Sequence, residues 1–466
     1  MKLASHKVKA LLTIPFYKTL KAKLVASLAA NQFLKNLAWL GMSEVFVRVT
    51  RLVTAIVLAR LMDPLIFGLA ALVLTINELI RVFNRNGIGA KIVQCSDQEL
   101  DDITNTAYRL NFIFCTVLFV LQCVLAYPLA HFYQTPELVP MLQVLSVTYL
   151  LMPFGMVQAA LVQRQQRLKT CAMIDGLQVG VDNIVTTILA VLGLGAWAIV
   201  LPKFLTSPIW VIGYRRALHW APRKGVWRFK LWQDVLKFGR YYLSIELLKT
   251  ARLNLDNMII ARLLGMEALG IYYFARNAGL GFSLTLINAI SSALYPNLCE
   301  VQNNAIQLRA RFVANLKSIV LIAVPLISLQ AGLAFIYVPI VFGEQWVNAV
   351  PILTLLCISA LPRPLAESAS TLLLATGRIR TDFIWNIIFT VLFVLSVIVA
   401  AQFSLLTVAL TVLSVYLITH PIYFFLVWRK VFGSNTAANK TAAISAGKSA
   451  GKNKVATNIE EPMYVN

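Results

Sequence analysis

The chain has 466 residues, of which 59% are hydrophobic and 13% are charged, and its mean hydropathy is +0.73. This composition excludes a soluble globular protein, because a soluble domain needs far more polar side chains to cover its surface. The formal net charge is +22, and we interpret it as cytoplasmic loops and tails rich in Lys and Arg, with no nucleic-acid partner. The sequence predicts an all-α integral membrane protein.

Residues 1–33 are predicted to form a basic N-terminal extension. Its lysines alternate with apolar residues, as in an amphipathic helix that lies on an anionic membrane surface. The apolar run around Pro15 is short and is followed at once by lysines, which argues against a signal peptide. We expect this extension to contact membrane lipids.

Twelve mostly apolar segments are each long enough to cross a membrane, which takes about 20 residues for a ~30 Å hydrocarbon core. They lie at 36–60, 63–85, 104–128, 137–161, 169–192, 195–217, 235–261, 267–294, 312–338, 349–376, 379–401 and 405–428. Turn signals separate several of them, at Asp63-Pro64, Thr135-Pro136, Gly193 with Gly195, and Gly377.

The positions of Lys and Arg predict the orientation of these segments. The loops on one side contain only Arg60 and Arg262. The loops on the other side contain Arg85, Lys91, Arg164, Arg167, Lys169, Arg215, Arg216, Arg309, Arg311, Arg378 and Arg380. Because basic loops stay in the cytoplasm, we expect both termini of this multi-pass protein to be cytoplasmic.

A repeated phrase predicts an internal duplication. VLARLMDPLIFGLA at 57–70 returns at an offset of 202 residues as IIARLLGMEALGIY at 259–272. Two apolar helices can agree by chance, but Glu44 also matches Glu246, and Arg60 matches Arg262. Because six helices, an even number, separate the copies, both copies have the same orientation. We therefore predict two parallel six-helix repeats, at 34–218 and 235–430, with a basic linker at 219–234 and a disordered tail at 431–466.

Basic residues inside the predicted helices indicate a binding cavity, since a charge at mid-bilayer costs about 2.5–3.5 kcal/mol and marks function by default. Arg48 and Arg51 share one face of the first helix, and Lys249 and Arg252 share one face of the seventh, close to the repeat-equivalent positions. Arginine grips phosphate with paired hydrogen bonds, so these pairs predict a site for a polyanion such as a diphosphate. Glu78, Arg81 and Arg276 are further substrate-binding candidates, and Asn77 and Asn288 are candidates for sugar contacts.

An alternative is that these charges only form internal ion pairs. Glu44 and Glu78 lie at depths from which they could neutralise Arg48 and Arg81. Asp182 could pair with Lys203, and Asp256 with Arg276. We expect Arg60 and Arg262, at the outer helix ends, to snorkel toward the interface.

Prolines predict breaks at matching places in the two halves, where hinges and binding sites of transporters often lie. Pro153 interrupts the fourth segment, and Pro362 with Arg363 interrupts the tenth. A plain structural kink is the alternative to gating. Glu367, Glu44 and Asp256 are candidates for coupling to H⁺ or Na⁺.

Enzymatic and metal-binding motifs are missing from the sequence. The pair Asp101-Asp102 superficially fits a lipid-phosphate transferase, but N-capping of a helix explains it equally well. The six cysteines and four histidines have no ligand spacing, so we expect free thiols, no structural metal and no cofactor. We predict that the protein is not an enzyme.

Two stretches resemble a known family. They are FLKNLAWLGMSEVFVRVTRLVTAIVLARLMDPLIFGLAAL at 33–72 and NLDNMIIARLLGMEALGIYYFARN at 254–277. Both are similar to the Wzx-type polysaccharide transport family of the multidrug/oligosaccharidyl-lipid/polysaccharide exporter superfamily. The resemblance covers roughly residues 33–430.

The resemblance implies a V-shaped transporter of two six-helix lobes in the bacterial inner membrane. It implies that undecaprenyl-diphosphate-linked oligosaccharide units cross to the outer leaflet by alternating access around a central cationic cavity, onto which Arg48, Arg51, Lys249 and Arg252 map by position. Polymerase and chain-length proteins of the same pathway are candidate partners. Two alternatives stay open, a cation-coupled multidrug antiporter of the same superfamily and a non-transporting scaffold for envelope assembly.

Overall fold

A computed structural model describes residues 32–84, 88–222, 229–302 and 304–433. The described residues leave out the predicted N-terminal extension, except for its last two residues, and the predicted tail after Gly433. The side chains of Glu44 and Asn288 also lie outside the described part. The described parts of the chain are helical and contain no β-strand, which confirms the all-α prediction.

Seventeen α-helices are described, and short 3₁₀ or π turns extend some of them. The helices are α1 (Gln32–Leu61), α2 (Pro64–Arg81), α3 (Ile88–Gln94), α4 (Leu100–Tyr133), α5 (Leu138–Leu151), α6 (Pro153–Arg164), α7 (Leu168–Val191), α8 (Trp197–Leu205), α9 (Ser207–Ala217), α10 (Phe229–Leu263), α11 (Met266–Cys299), α12 (Ala305–Gly332), α13 (Ala334–Tyr337), α14 (Val350–Ser359), α15 (Arg363–Ala375), α16 (Ile379–Ala400) and α17 (Leu405–Trp428).

Helix ends follow the predicted turn signals. Pro64 occupies the first turn of α2, where its missing N–H and fixed φ are favourable. Gly193, Gly195 and Gly377 have φ values of 79°, 55° and 71°, a backbone region in which glycine avoids the clash that a Cβ would cause. Ser404 caps α17, because its side chain accepts a hydrogen bond from the Thr407 N–H at 3.1 Å.

Eight helical stretches of the described chain are long and apolar enough to cross a membrane, or up to nine if the bent pair α5 and α6 is one span. The other three predicted spans lie in α1, α10 and α11. α1 and α10 carry charged residues along their length, which sets them apart from ordinary apolar spans. The count of twelve spans therefore stays a prediction.

Two of the predicted breaks are present. α5 and α6 meet at an angle of 55° between Leu151 and Pro153. α14 ends at Ser359 and α15 begins at Arg363, so the helix is interrupted at Pro362. A proline inside a helix removes one backbone hydrogen bond and clashes with the preceding turn, which accounts for both positions.

Contacts divide the chain into two compact units, unit 1 at 1–254 and unit 2 at 255–466, and the boundary falls within α10. In unit 1, α1 packs along α7, and α4 packs against α5. Gly180 of α7 faces the ring of Phe46 so closely that a Cβ at this position would clash. Another close approach joins α6 to α9, where a Cβ on Gly155 would lie 3.0 Å from a ring carbon of Trp210.

Unit 2 has its own apolar core. α11 packs against α12, α14 and α15, and α17 packs against α14, α15 and α16. Phe274 stacks on the fully buried Trp346 with ring centroids 4.0 Å apart. A second cluster, around Phe312, Leu372 and Val427, fills the region between α12, α15 and α17.

Candidate functional site

The predicted basic pair of α1 lies on a helix that polar contacts anchor to α7. Thr54 Oγ1 donates to the Asn183 carbonyl at 3.0 Å, and the Asn183 amide donates to Thr50 Oγ1 at 3.0 Å. Thr50 and Thr54 are one turn apart, so they fix one face of α1. Arg48 is half-buried and lies on the side of α1 opposite the anchored face, whereas the exposed Arg51, three residues before Thr54, lies beside that face.

Glu78 and Arg81 form an ion pair within α2, with 2.6 Å between the guanidinium and the carboxylate. The predicted ion pair is therefore present, and a substrate-binding role for Glu78 and Arg81 stays a prediction. Residues that are three or four positions apart are neighbours on the surface of a helix, so this ion pair could be predicted from the sequence.

Next to this pair lies a polar network that the sequence did not reveal. The Gln122 amide donates to Asn77 Oδ1 at 3.3 Å and to the Leu142 carbonyl at 2.8 Å. The Tyr149 hydroxyl lies 3.0 Å from Gln122 Oε1 and 3.2 Å from Asn77 Oδ1. Asn77, predicted to contact sugars, is thus tied to α4 and α5 within unit 1. Its role in binding stays a prediction.

Two further carboxylates of α7 are held by neighbouring helices. Asp182 pairs with Lys203 of α8, as predicted for a structural ion pair. Asp175, which the sequence did not single out, accepts hydrogen bonds from the Trp210 indole at 3.1 Å and the Tyr214 hydroxyl at 3.2 Å. These contacts hold α7 to α8 and α9.

The predicted basic pair of α10 has a different environment. Lys249 is exposed and lies 3.5 Å from Glu246 of the same helix. Arg252 is half-buried. Whether Lys249 and Arg252 line a cavity with Arg48 and Arg51 stays a prediction.

In unit 2, Asp256 and Arg276 form the predicted ion pair. One guanidinium nitrogen lies 3.0 Å and 2.9 Å from the two carboxylate oxygens, and the Tyr272 hydroxyl donates to the same carboxylate at 2.9 Å. The carboxyl side chain is 5% exposed and the guanidinium 22%. This buried ion pair favours a structural role for Asp256 and Arg276, because each charge neutralises the other in an environment of low dielectric constant.

Arg363 lies where α15 begins after the break at Pro362. Its guanidinium carbon is 4.7 Å from the ring centroid of Tyr416, a cation–π contact. The ring of His420, one helical turn further along α17, is 4.7 Å from the same Tyr416 ring. The sequence placed Arg363 and Glu367 among coupling or gating residues but missed both aromatic partners.

Metal ligands do not cluster in the described part of the chain, where no group of three His, Cys, Asp or Glu side chains lies together. All six cysteines are free thiols. The arrangement therefore offers cationic and hydrogen-bonding groups within spanning helices, a chemistry suited to binding an anionic compound.

Comparison with solved structures shows a shared fold. The structure is similar to that of the lipid II flippase MurJ in an inward closed conformation, with a TM-score of 0.70 over 84% of this chain and 88% of that one, at 12% sequence identity. This is a similarity of fold. It agrees with the all-helical fold described above.

Sequence comparison identifies the family. Residues 57–351 match the family described as polysaccharide biosynthesis protein. The chain is 30% identical to the teichuronic acid biosynthesis protein TuaB of Bacillus subtilis over 69% of this chain and 67% of that protein. It is 26% identical to the lipopolysaccharide biosynthesis protein WzxC of Escherichia coli over 85% and 81%. The chain belongs to the polysaccharide biosynthesis protein family, which confirms the resemblance seen in the sequence.

Proposed function

We propose that this protein is a flippase that moves undecaprenyl-diphosphate-linked oligosaccharide repeat units from the inner to the outer leaflet of the bacterial inner membrane. The observation that carries the proposal is the family match over residues 57–351, which includes most of the helices. The similarity of its fold to that of the lipid II flippase MurJ supports the proposal.

In this proposal the carrier diphosphate is held by basic side chains while its lipid tail stays in the bilayer. Arg48, Arg51, Lys249 and Arg252 supply the positive charge, and phosphate oxygens accept their hydrogen bonds. The cavity opens alternately to the two sides of the membrane as the six-helix repeats rock. The breaks at Pro153 and Pro362 provide hinges for this motion.

The proposal includes the cellular setting. Both termini are cytoplasmic, the lipid-linked oligosaccharide is the substrate, and polymerase and chain-length proteins of the pathway are the partners. No cofactor is needed, and H⁺ or Na⁺ drives the cycle through Glu367 or Glu44, since the ion pair with Arg276 gives Asp256 a structural role.

The test compares cells that lack the protein with cells that carry it or its variants. We expect lipid-linked oligosaccharide to accumulate facing the cytoplasm in the null strain, and the wild-type protein to clear it. Arg48→Glu with Arg252→Glu should fail to clear it, because reversed charge repels the diphosphate. Accessibility of the sugars to a membrane-impermeant oxidant in spheroplasts and inverted vesicles reports their sidedness.

The matched control reverses the charges of Arg60 and Arg262, which are also repeat-equivalent but lie at the predicted outer helix ends. This control should clear the intermediate normally. Normal lipid-linked sugars in the null strain, with altered sensitivity to cationic drugs, would instead assign the protein to multidrug antiport. Export unaffected by any charge reversal would favour a non-transporting scaffold.

A further inference from the structure

Arg363 differs from the other described arginines of unit 2 in one buried nitrogen atom. Its Nε atom is buried and has no hydrogen-bond partner in the described structure. Its side-chain contact there is the face of Tyr416, and no described carboxylate lies within ion-pair distance. A guanidinium has five donors, so an aromatic face leaves most of its hydrogen-bonding capacity unused.

Two arginines of unit 2 differ in how their charge is neutralised. Asp256 and Arg276 neutralise each other in a buried ion pair. Arg363 brings a positive charge onto Tyr416, and the carboxylate nearest to it in the sequence, Glu367, forms no ion pair with it in the described structure. An uncompensated cation within a spanning helix is costly unless an anion or water reaches it.

Glu367 and His420 are the two side chains near Arg363 that could contribute to a binding site. Glu367 is one turn further along α15 and exposed, yet it forms no ion pair with Arg363 in the described structure. His420 lies against Tyr416 and Phe389, and its Nδ1 is 3.3 Å from Thr419 Oγ1. Arg363 and His420 therefore both contact Tyr416, and both can donate hydrogen bonds to an anion.

We propose that Arg363, Tyr416 and His420 form an anion subsite within unit 2, which takes the phosphate or carboxylate oxygens of the transported compound. Tyr416 holds the guanidinium plane by cation–π contact, so its unused N–H groups are presented in a fixed fork. The His420 ring adds a donor on the other helix. The inference rests on the proposed function for the identity of the compound, but the subsite itself is defined by its geometry.

The test uses the full-length protein in lipid nanodiscs, with His6, His131 and His219 replaced by Gln so that His420 is the one labelled histidine. Inorganic pyrophosphate and glucuronate are titrated separately, and NMR follows the His420 ring resonances. Pyrophosphate represents a carrier diphosphate, and glucuronate represents an acidic sugar. We expect at least one of them to shift the resonances saturably.

Variants separate the subsite from general binding. Arg363→Gln should lower the affinity for the anion by roughly tenfold or more, the loss expected when charge-assisted hydrogen bonds are removed. Arg363→Lys should bind with intermediate affinity, since it keeps the charge without the fork. Glu367→Gln should bind more tightly, because a neighbouring negative charge is removed. Arg309→Gln is the matched control, since Arg309 also lies over an aromatic ring, 5.2 Å from the Trp428 centroid.

Each outcome decides the proposal. A shift by pyrophosphate alone assigns the subsite to a diphosphate, and a shift by glucuronate alone assigns it to an acidic sugar. No shift by either anion, or an equal shift in folded Arg363→Gln, overturns it. Tryptophan fluorescence melts establish folding. If Arg363→Gln loses anion binding while the null strain has normal lipid-linked sugars, the subsite is supported and the flippase function is contradicted. If lipid-linked sugars accumulate in the null strain while Arg363→Gln binds the anion normally, the flippase function is supported and the subsite is contradicted.

Discussion

At the scale of single residues, Asp256 and Arg276 form a more buried ion pair than the described pair of Glu300 and Arg311 in the same unit. Asp256→Asn would leave the Arg276 guanidinium buried without a counter-charge, a change that costs about 3–5 kcal/mol in comparable pairs. We expect a lower thermal midpoint and less folded protein, measured by tryptophan fluorescence in detergent. Replacing both residues together, by Asn and Leu, should recover part of the loss, because no charge stays unpaired.

An exposed pair provides the control. Glu300 and Arg311 lie 2.5 Å apart, but their side chains are 68% and 41% exposed. Glu300→Gln should change stability by less than about 1 kcal/mol, the usual range for exposed ion pairs. Equal destabilisation by Asp256→Asn and Glu300→Gln would contradict the importance assigned to burial.

Much of the ion pairing could be predicted from the sequence. Glu78 with Arg81 follows from helical spacing, and Asp182 with Lys203 follows from similar depth on adjacent helices. The contact of Arg363 with Tyr416 could not be predicted, because it joins α15 and α17, and depth alone does not select one aromatic ring among many on neighbouring helices.

At the scale of elements, close helix contacts depend on glycines. Gly155→Ala should destabilise unit 1 by about 1–3 kcal/mol, because the new Cβ would lie 3.0 Å from Trp210 and 3.2 Å from the Val211 backbone. Gly89→Ala is the control, since its Cβ would lie an ordinary 3.9 Å from Ala160. Alanine is favoured over glycine in a helix by about 1 kcal/mol, so this control should stabilise. Thermal midpoints that fall equally in both variants would contradict the predicted difference in packing.

The end of α17 is tied to the start of α16 by reciprocal contacts. Arg378 donates to the Lys430 carbonyl at 2.5 Å, and the Lys430 ammonium donates to Thr381 Oγ1 at 2.7 Å. Arg378→Gln should speed amide hydrogen exchange over 426–433 by roughly fivefold, as expected for one lost hydrogen bond. Arg380→Gln should leave exchange unchanged, and accelerated exchange in this control would show that charge, rather than the specific contact, protects the helix end.

The helix breaks were more predictable than the turns beside them. Pro153 and Pro362 predicted interruptions of the helices, because proline cannot donate a backbone hydrogen bond. The π turns at Val338–Phe342 and Arg429–Gly433 had no comparable signal. Such turns arise where packing, rather than local preference, sets the hydrogen-bond register.

At the scale of the whole molecule, each unit contains the same kind of internal contact, which supports the proposed duplication. Arg167 precedes α7 and donates to the Ala217 carbonyl at the end of α9, at 2.9 Å. Arg378 precedes α16 and makes the corresponding contact after α17. Gln166 and Gly377, the residues before them, both have positive φ. The alignment of the α1 and α10 sequences did not predict these matching contacts, because the contacts depend on backbone geometry before α7 and α16.

The central claim is tested most directly by transport in reconstituted vesicles. Lipid-linked repeat units extracted from the null strain are placed in vesicles with the purified protein, and an external glycosidase measures the fraction that it can reach over time. We predict that the wild-type protein makes the inner-leaflet pool accessible much faster than in protein-free vesicles, and that Arg48→Glu with Arg252→Glu removes most of this acceleration while the Arg60 and Arg262 reversals retain it. A wild-type rate no greater than that of protein-free vesicles would contradict the account.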